Sequence, residues 1–256
     1  MQLQYETYIP TDALKPFIRS FAIQEAASDL TYSILPDTGI VIGFQYQGRL
    51  FRVDDKSMIV LDIAGISGLA DCRRTFQNLP GTSTILVFFK EAGAVPFFRQ
   101  PLHEIFRDSV SLDNFMLRSE LLCLEEQLIE AQTNSERIAR VENFLIARMA
   151  RVDPDKLVTA ALALIHKSRG NIRMKALAQQ LYTSQSPLEK RFRAAVGASP
   201  KKFASIVRMK NILREYPRAG SLTELGYEAG FYDQAHFIKE FKAFTGETPE
   251  NFFKKP

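Results

Sequence analysis

The strongest constraint on this chain is that part of it is written twice. Residues 184–200 recur at 233–249, an offset of 49 positions. Ser184 aligns with Asp233, Leu188 with Phe237, Lys190 with Lys239 and Phe192 with Phe241. Arg193 aligns with Lys242, Gly197 with Gly246, Ser199 with Thr248 and Pro200 with Pro249. A repeat of this length is one small supersecondary unit used two times. Each copy predicts two helices around a tight turn. The first helix carries Ala176-Leu177-Ala178 and Leu181 in copy one, and Leu222, Leu225-Gly226 and Ala229 in copy two. Ser184 or Asp233 is placed to cap the second helix. In copy one, Ser186-Pro187-Leu188-Glu189 also reads as a capping box, so that start could slip by two residues. Leu188, Phe192 and Val196 share one face at helical spacing, as do Phe237, Phe241 and Phe244. Gly197 and Gly246 are stop signals, and Ser199-Pro200 and Thr248-Pro249 open the helices that follow.

The opposite face is polar and basic. It holds Gln185, Glu189, Lys190 and Arg193 in copy one, and Gln234, Ile238, Lys239 and Lys242 in copy two. Two helices joined by a short turn, the second apolar inside and basic outside, describe a helix-turn-helix. Such a second helix fits the major groove, where Lys reads guanine and Gln reads adenine. A three-helix unit with no nucleic-acid partner has the same periodicity. The charge of the two halves bears on this choice. Residues 1–150 hold 14 Lys+Arg against 19 Asp+Glu, a net of −5, whereas residues 151–256 hold 19 against 10, a net of +9. A basic half of this size points to a polyanion, although a lysine-rich surface alone would give the same count.

Residues 155–256 resemble the DNA-binding domain of AraC/XylS-type transcription regulators. The resemblance rests on Leu177-Ala178, Leu181, Ser184, Leu188, Phe192, Gly197, Ser199-Pro200 and Arg208. In the second copy it rests on Gly230-Phe231, Asp233-Gln234-Ala235-His236-Phe237, Phe241-Lys242, Gly246 and Thr248-Pro249. The resemblance implies two helix-turn-helix units joined by a long helix, here Lys201 to Tyr216 and ending before Pro217. It implies Ser186, Glu189, Lys190, Gln234, Ala235 and Lys239 as base-reading residues. Gln185, Arg193, Lys201, Lys202 and Lys242 become the phosphate contacts. Lys190 and Lys239 stand where the family usually has arginine, so bidentate reading of guanine is softened. Gly226 replaces a usual alanine, and Asn251-Phe252-Phe253 lacks the common tyrosine-arginine. His236 matches a family histidine and is read as structural or phosphate-contacting.

The first third alternates short β-branched and aromatic runs with turn signals. Strands are expected at 32–35, 40–46, 50–53, 58–61 and 84–89, after a short helix from Asp12 to Ser20. This predicts a small barrel or sandwich. It resembles, more weakly, the β-barrel sensor domains that precede this DNA-binding domain, through Leu35-Pro36-Asp37, Ile40–Phe44, Leu86–Phe89, Phe97, Pro101-Leu102 and Val110-Ser111-Leu112. Tyr32, Phe44, Tyr46 and Phe88 are the effector-pocket candidates, with barrel core the more ordinary role for such aromatics. Leu117, Leu121, Leu124, Leu128 and Ala131, then Ile138, Val141, Leu145 and Met149, mark two amphipathic helices. Their apolar line serves either an internal core or, the preferred reading, a dimer interface.

The expected architecture is α+β. Residues 1–112 form a β-rich sensor-like barrel or sandwich, 113–152 a helical pair, and 153–256 an all-α double helix-turn-helix domain. The expected function is a sequence-specific, double-stranded DNA-binding transcription regulator controlled by a small effector or by dimerisation. The alternatives are a protein-docking adaptor with non-specific DNA affinity and a barrel enzyme with secondary DNA binding. The enzyme is disfavoured because no catalytic cluster, phosphate loop or GxSxG elbow is legible. His103, His166 and His236 are scattered, so no metal or other cofactor is expected. Cys72 precedes Arg73-Arg74, which could activate it; an inert thiol is the ordinary reading. Partners are double-stranded DNA and a second copy of the chain, with RNA polymerase and a small-molecule effector as further candidates. No membrane-length apolar run and no signal-like start occur, and two cysteines fit a reducing cytoplasm.

Overall fold

The computed structural model describes residues 3–54, 57–216, 226–227, 229–231 and 233–254. Among the described residues the first half contains ten strands: β1 (Leu3–Tyr8), β2 (Ile18–Ala26), β3 (Leu30–Ile34), β4 (Val41–Gln47), β5 (Leu50–Asp54), β6 (Ser57–Val60), β7 (Ala64–Ser67), β8 (Arg74–Asn78), β9 (Thr82–Phe89) and β10 (Ser109–Ser111). They form two antiparallel sheets, ordered β1-β2-β9-β4-β7-β10 and β3-β8-β5-β6. Neither sheet closes on itself, so of the expected barrel or sandwich the chain takes the second form, a pair of open sheets facing each other.

The expected helix at Asp12–Ser20 is absent. Thr11 to Phe17 make tight turns closed by Leu14 N→Thr11 O (2.9 Å) and Phe17 N→Leu14 O (2.9 Å), and β2 begins at Ile18. The reason is burial on both sides. β2 lies between β1 and β9, and Phe21, Ala22 and Ile23 are successively buried. A central strand covered on two faces shows no polar-apolar alternation, so its sequence reads ambiguously.

β4 and β9 carry two different faces. Ile42 pairs with Val87 and Phe44 with Ile85, all at most 3% exposed. Phe44 meets the edge of Phe144 at 6.1 Å. That face is therefore covered by the helical pair α1 (Arg118–Glu130) and α2 (Asn134–Arg148). The turn between these helices is fixed by a reciprocal capping box: Glu136 N donates to Thr133 Oγ1 (3.2 Å) and Thr133 N donates to Glu136 Oε2 (3.4 Å). Leu121, Leu124, Leu128 and Ala131 are 2–9% exposed. Most of the leucine line is internal core, and only Leu117 stands out into solvent.

The second half is helical: α3 (Lys156–Lys167), α4 (Met174–Gln180), α5 (Gln185–Val196), α6 (Pro200–Glu215), α7 (Gln234–Thr245) and α8 (Pro249–Phe253). The inward faces are as the repeat predicts. Leu188, Phe192 and Val196 are at most 2% exposed, and Phe237, Phe241 and Phe244 at most 3%. Phe192 packs edge-on to Phe203 of α6 at 5.5 Å. Gly197 and Gly246 terminate α5 and α7 with φ of +92° and +84°, a region that costs any residue with a Cβ. Leu222, Leu225 and Pro217 lie outside the described residues.

Candidate nucleic-acid interface and inter-domain cavity

The helix starts set the direction of the exposed faces. Asp233 Oδ1 accepts from His236 N at 2.7 Å and so caps α7. Ser184 occupies the corresponding position before α5, but its hydroxyl makes no capping bond. The helix nevertheless starts at Gln185 rather than slipping to the Ser186-Pro187 alternative. Ser199 Oγ and Thr248 Oγ1 cap the helices that follow, accepting from Lys202 N (3.3 Å) and Asn251 N (3.4 Å).

On α5 the side chains of Gln185, Ser186, Glu189, Lys190 and Arg193 are all exposed. On α7 Gln234, Ala235, Lys239 and Lys242 are exposed as well. Each set occupies the face opposite its buried apolar residues, so two polar, basic helix faces are presented to solvent. Glu189 and Arg193 face each other at 3.6 Å, one turn apart. Arg191 is turned away from this face: it grips Asp155 with two bonds, of 2.7 and 2.6 Å, while Asp155 Oδ1 also caps α3.

α6 holds the second unit through Arg208. Its guanidinium donates to Glu240 Oε2 at 2.8 Å and lies 4.3 Å from the ring centre of Phe231. His236 Nε2 meets the same carboxylate through Oε1 at 3.1 Å. His236 is thus part of a structural knot of Arg208, Glu240 and Phe231. Gly226 is buried, and a Cβ added there would meet the ring of Phe237 at 3.4 Å.

Lys201 is exposed, but Lys202 is not free. Its ammonium contacts Asp71, a residue of the sheet half that also pairs with Arg107. Lys210 of α6 contacts Asp37, which accepts from Arg19 Nη2 at 2.7 Å and from Thr38 N at 2.8 Å. His166 of α3 lies 3.3 Å from Glu91. In all three pairs the acid comes from the sheet half and the base from the helical half. Burial alone would raise the Asp37 carboxyl, but hydrogen bonds from Arg19 and Lys210 outweigh it and bring it down to about 2. Glu91 is likewise brought to about 2, with burial opposing and His166 the foremost of the groups that lower it. No local pattern in the sequence marks these cross-pairs, whose members are as much as 173 positions apart.

The two sheets enclose a cavity of about 610 Å3. One wall is the second face of β4 and β9, including Leu86 and Phe88. Tyr32 and Phe76 belong to the facing sheet, and Leu213, Arg214 and Phe244 come from the helical half. Of the four pocket candidates, Tyr32 and Phe88 line this space. Phe44 and Tyr46 sit one residue out of phase with the cavity face of β4. Phe44 packs on α2, while Tyr46 donates to Glu25 (3.0 Å) and carries Arg137 over its ring at 4.5 Å. Tyr32 accepts from Gln24 Nε2 at 2.6 Å, and burial pushes its phenol up.

This combination of a two-sheet domain and a helical half with two exposed, basic helices defines a two-domain helix-turn-helix protein. Residues 177–255 match the model of a helix-turn-helix domain, and residues 6–111 match that of a domain of unknown function (DUF6597). The Msm operon regulatory protein of Streptococcus mutans is 29% identical over 140 residues, covering 53% of this chain and 50% of that relative. The chain thus aligns with about half the length of that curated relative. Among solved structures, ToxT from Vibrio cholerae aligns over 98% of both chains at 10% identity, with a TM-score of 0.44. The C-terminal domain of AraT from Geobacillus stearothermophilus covers 40% of this chain and 87% of its own, at 20% identity and a TM-score of 0.38. The helix-turn-helix match and the Msm operon regulatory protein both support the resemblance to AraC/XylS-type regulators.

Proposed function

We propose that this protein regulates transcription by binding one face of double-stranded DNA through both of its helix-turn-helix units. The observation that carries this reading is the pair of basic, solvent-facing helices α5 and α7 on one linker helix. Ser186, Glu189 and Lys190 of α5, with Gln234, Ala235 and Lys239 of α7, are the proposed base readers. Gln185, Arg193, Lys201, Lys202 and Lys242 are the proposed phosphate contacts.

The sheet half is proposed to control this activity in two connected ways. It engages Lys202 through Asp71, which keeps a phosphate ligand away from DNA while the halves are docked. It also encloses a cavity whose lining includes α6 and α7 side chains, so a small effector there would bear on the docking. A second copy of the chain is the proposed partner of residues 113–152. Since Leu121, Leu124 and Leu128 are internal, that contact would use the outer line of α1, where Leu122 and Ile129 are 48% and 58% exposed. RNA polymerase as a further partner and a cytoplasmic location belong to the same proposal.

The test is selection from randomised duplex DNA with the full chain at near-physiological salt. Two conserved blocks about one helical turn apart are expected. Retention without any enriched sequence would leave only counterion-driven binding and would overturn the base-reading assignment.

A further inference from the structure

The cavity between the sheets is mainly apolar, yet it contains an arginine that forms no ion pair among the described residues. Arg74 leads β8 and lines the cavity together with Tyr32, Phe76, Leu86 and Phe88. Its nearest acids are already engaged: Asp108 and Asp54 both bond to Arg52, at 3.0 and 3.3 Å. The hydrogen bond found for the Arg74 side chain is a long one, 3.4 Å to the backbone oxygen of Asp108. Burial, and secondarily the neighbouring Arg52, pull its pKa below the usual arginine value. A guanidinium that is partly desolvated and lacks a carboxylate is unfavourable unless something else supplies the negative charge. The cavity is also of the size that takes small molecules.

We infer that the inter-sheet cavity binds a small molecule with an apolar, ring-containing body and a single acidic group, and that Arg74 receives the acid. The aromatic walls suit the body, and the planar donor fork of Arg74 suits a carboxylate. Arg214 lines the same space from α6; its side chain bonds to Asn211 Oδ1 at 2.6 Å and is paired with no carboxylate among the described residues. The ligand thereby touches both halves of the chain, its acid in the sheet half and its body against Leu213 and Phe244. This inference rests on the reading of the sheet half as an effector domain.

The experiment titrates the full-length chain by calorimetry with matched acids and primary amides having phenylbutyl, biphenyl and hexyl bodies. Acids are expected to bind at least about tenfold more tightly than the amides of the same body. Arg74→Met should bring the best acid to the level of its amide and leave the amide unchanged, which also shows that the variant is folded. Equal affinity for acid and amide, or no binding of any body, overturns the inference. Loss of acid preference in Arg214→Met but not in Arg74→Met overturns the assignment of the anchor. DNA affinity measured on the same preparations without ligand reports separately on the regulator reading, so the two can fail independently.

Discussion

Replacing Asp37 by asparagine tests how the two halves are held together. The carboxylate accepts from Arg19 in its own half and from Lys210 on the linker helix. Its folded pKa is about 2 against an ordinary value of 3.8. At 1.36 kcal/mol per unit the ionised form is favoured in the folded chain by roughly 2 kcal/mol. Asparagine mimics the protonated acid in charge, so Asp37→Asn should destabilise the chain by about that amount at pH 7. Lys210 is 41% exposed, and solvent screening reduces its share to about 0.5–1 kcal/mol. A double-mutant cycle with Lys210→Met isolates that share. The sign of the pH dependence follows from the depressed pKa. The contribution is complete above the unfolded value near 3.8 and is lost as pH falls through the folded value near 2. The gap between wild type and Asp37→Asn should therefore shrink to roughly half near pH 3. The chain has no tryptophan, so far-ultraviolet circular dichroism in a urea series is the appropriate signal. A gap that is equally wide at pH 7 and pH 3, or a coupling with Lys210 indistinguishable from zero, would refute the argument.

Three further perturbations probe the DNA-binding half. Asp71→Asn releases Lys202 from its cross-pair and should tighten DNA binding about two- to fivefold at low salt, an advantage that fades as salt rises; fluorescence anisotropy on a selected site would measure it. Arg208→Ala removes the tether to Glu240 and Phe231, which should cost about 1–3 kcal/mol; faster amide exchange is expected in α7 while α4 and α5 keep their protection. Lys190→Ala and Lys239→Ala should each cost on the order of 1–3 kcal/mol on the preferred site and relax preference at one base position, read by repeating the selection with each variant.

The helical half was legible because its information is local. The repeat at offset 49, the phenylalanine spacing and the two glycines determine helix, face and end within a few residues of one another. The sheet half was legible only as strands. β4 and β9 were visible, but a period of two does not say which face meets the other sheet and which meets helices. That is why Tyr32 and Phe88 line the space between the sheets while Phe44 and Tyr46 lie out of phase with it. β2 was misread because a strand buried on both faces loses its alternation. β8 carries no strand signal because Arg74-Thr75-Phe76-Gln77-Asn78 is mostly polar, and it is this polar strand that brings Arg74 to the cavity. The pairs Asp71–Lys202 and Asp37–Lys210 span 131 and 173 positions and follow only from how the halves meet.

The imbalance of charge between the halves consequently has two readings that are coupled rather than exclusive. A basic domain next to an acidic one suits DNA, and it equally suits the domain beside it. The pairs are built so that exchange between the two is inexpensive. Asp71 retains Arg107 when Lys202 leaves, and Asp37 retains Arg19 when Lys210 leaves. Neither carboxylate becomes an unpaired, half-buried charge, the situation that makes breaking an ion pair strongly unfavourable. A phosphate can then take up the released lysine. Salt screens the cross-pairs and the phosphate contacts together. The measured salt dependence of DNA binding should therefore be shallower than the number of phosphate contacts implies, and Asp71→Asn should steepen it toward that number. Unchanged slopes in wild type and variant would mean that Lys202 serves only one of the two partners.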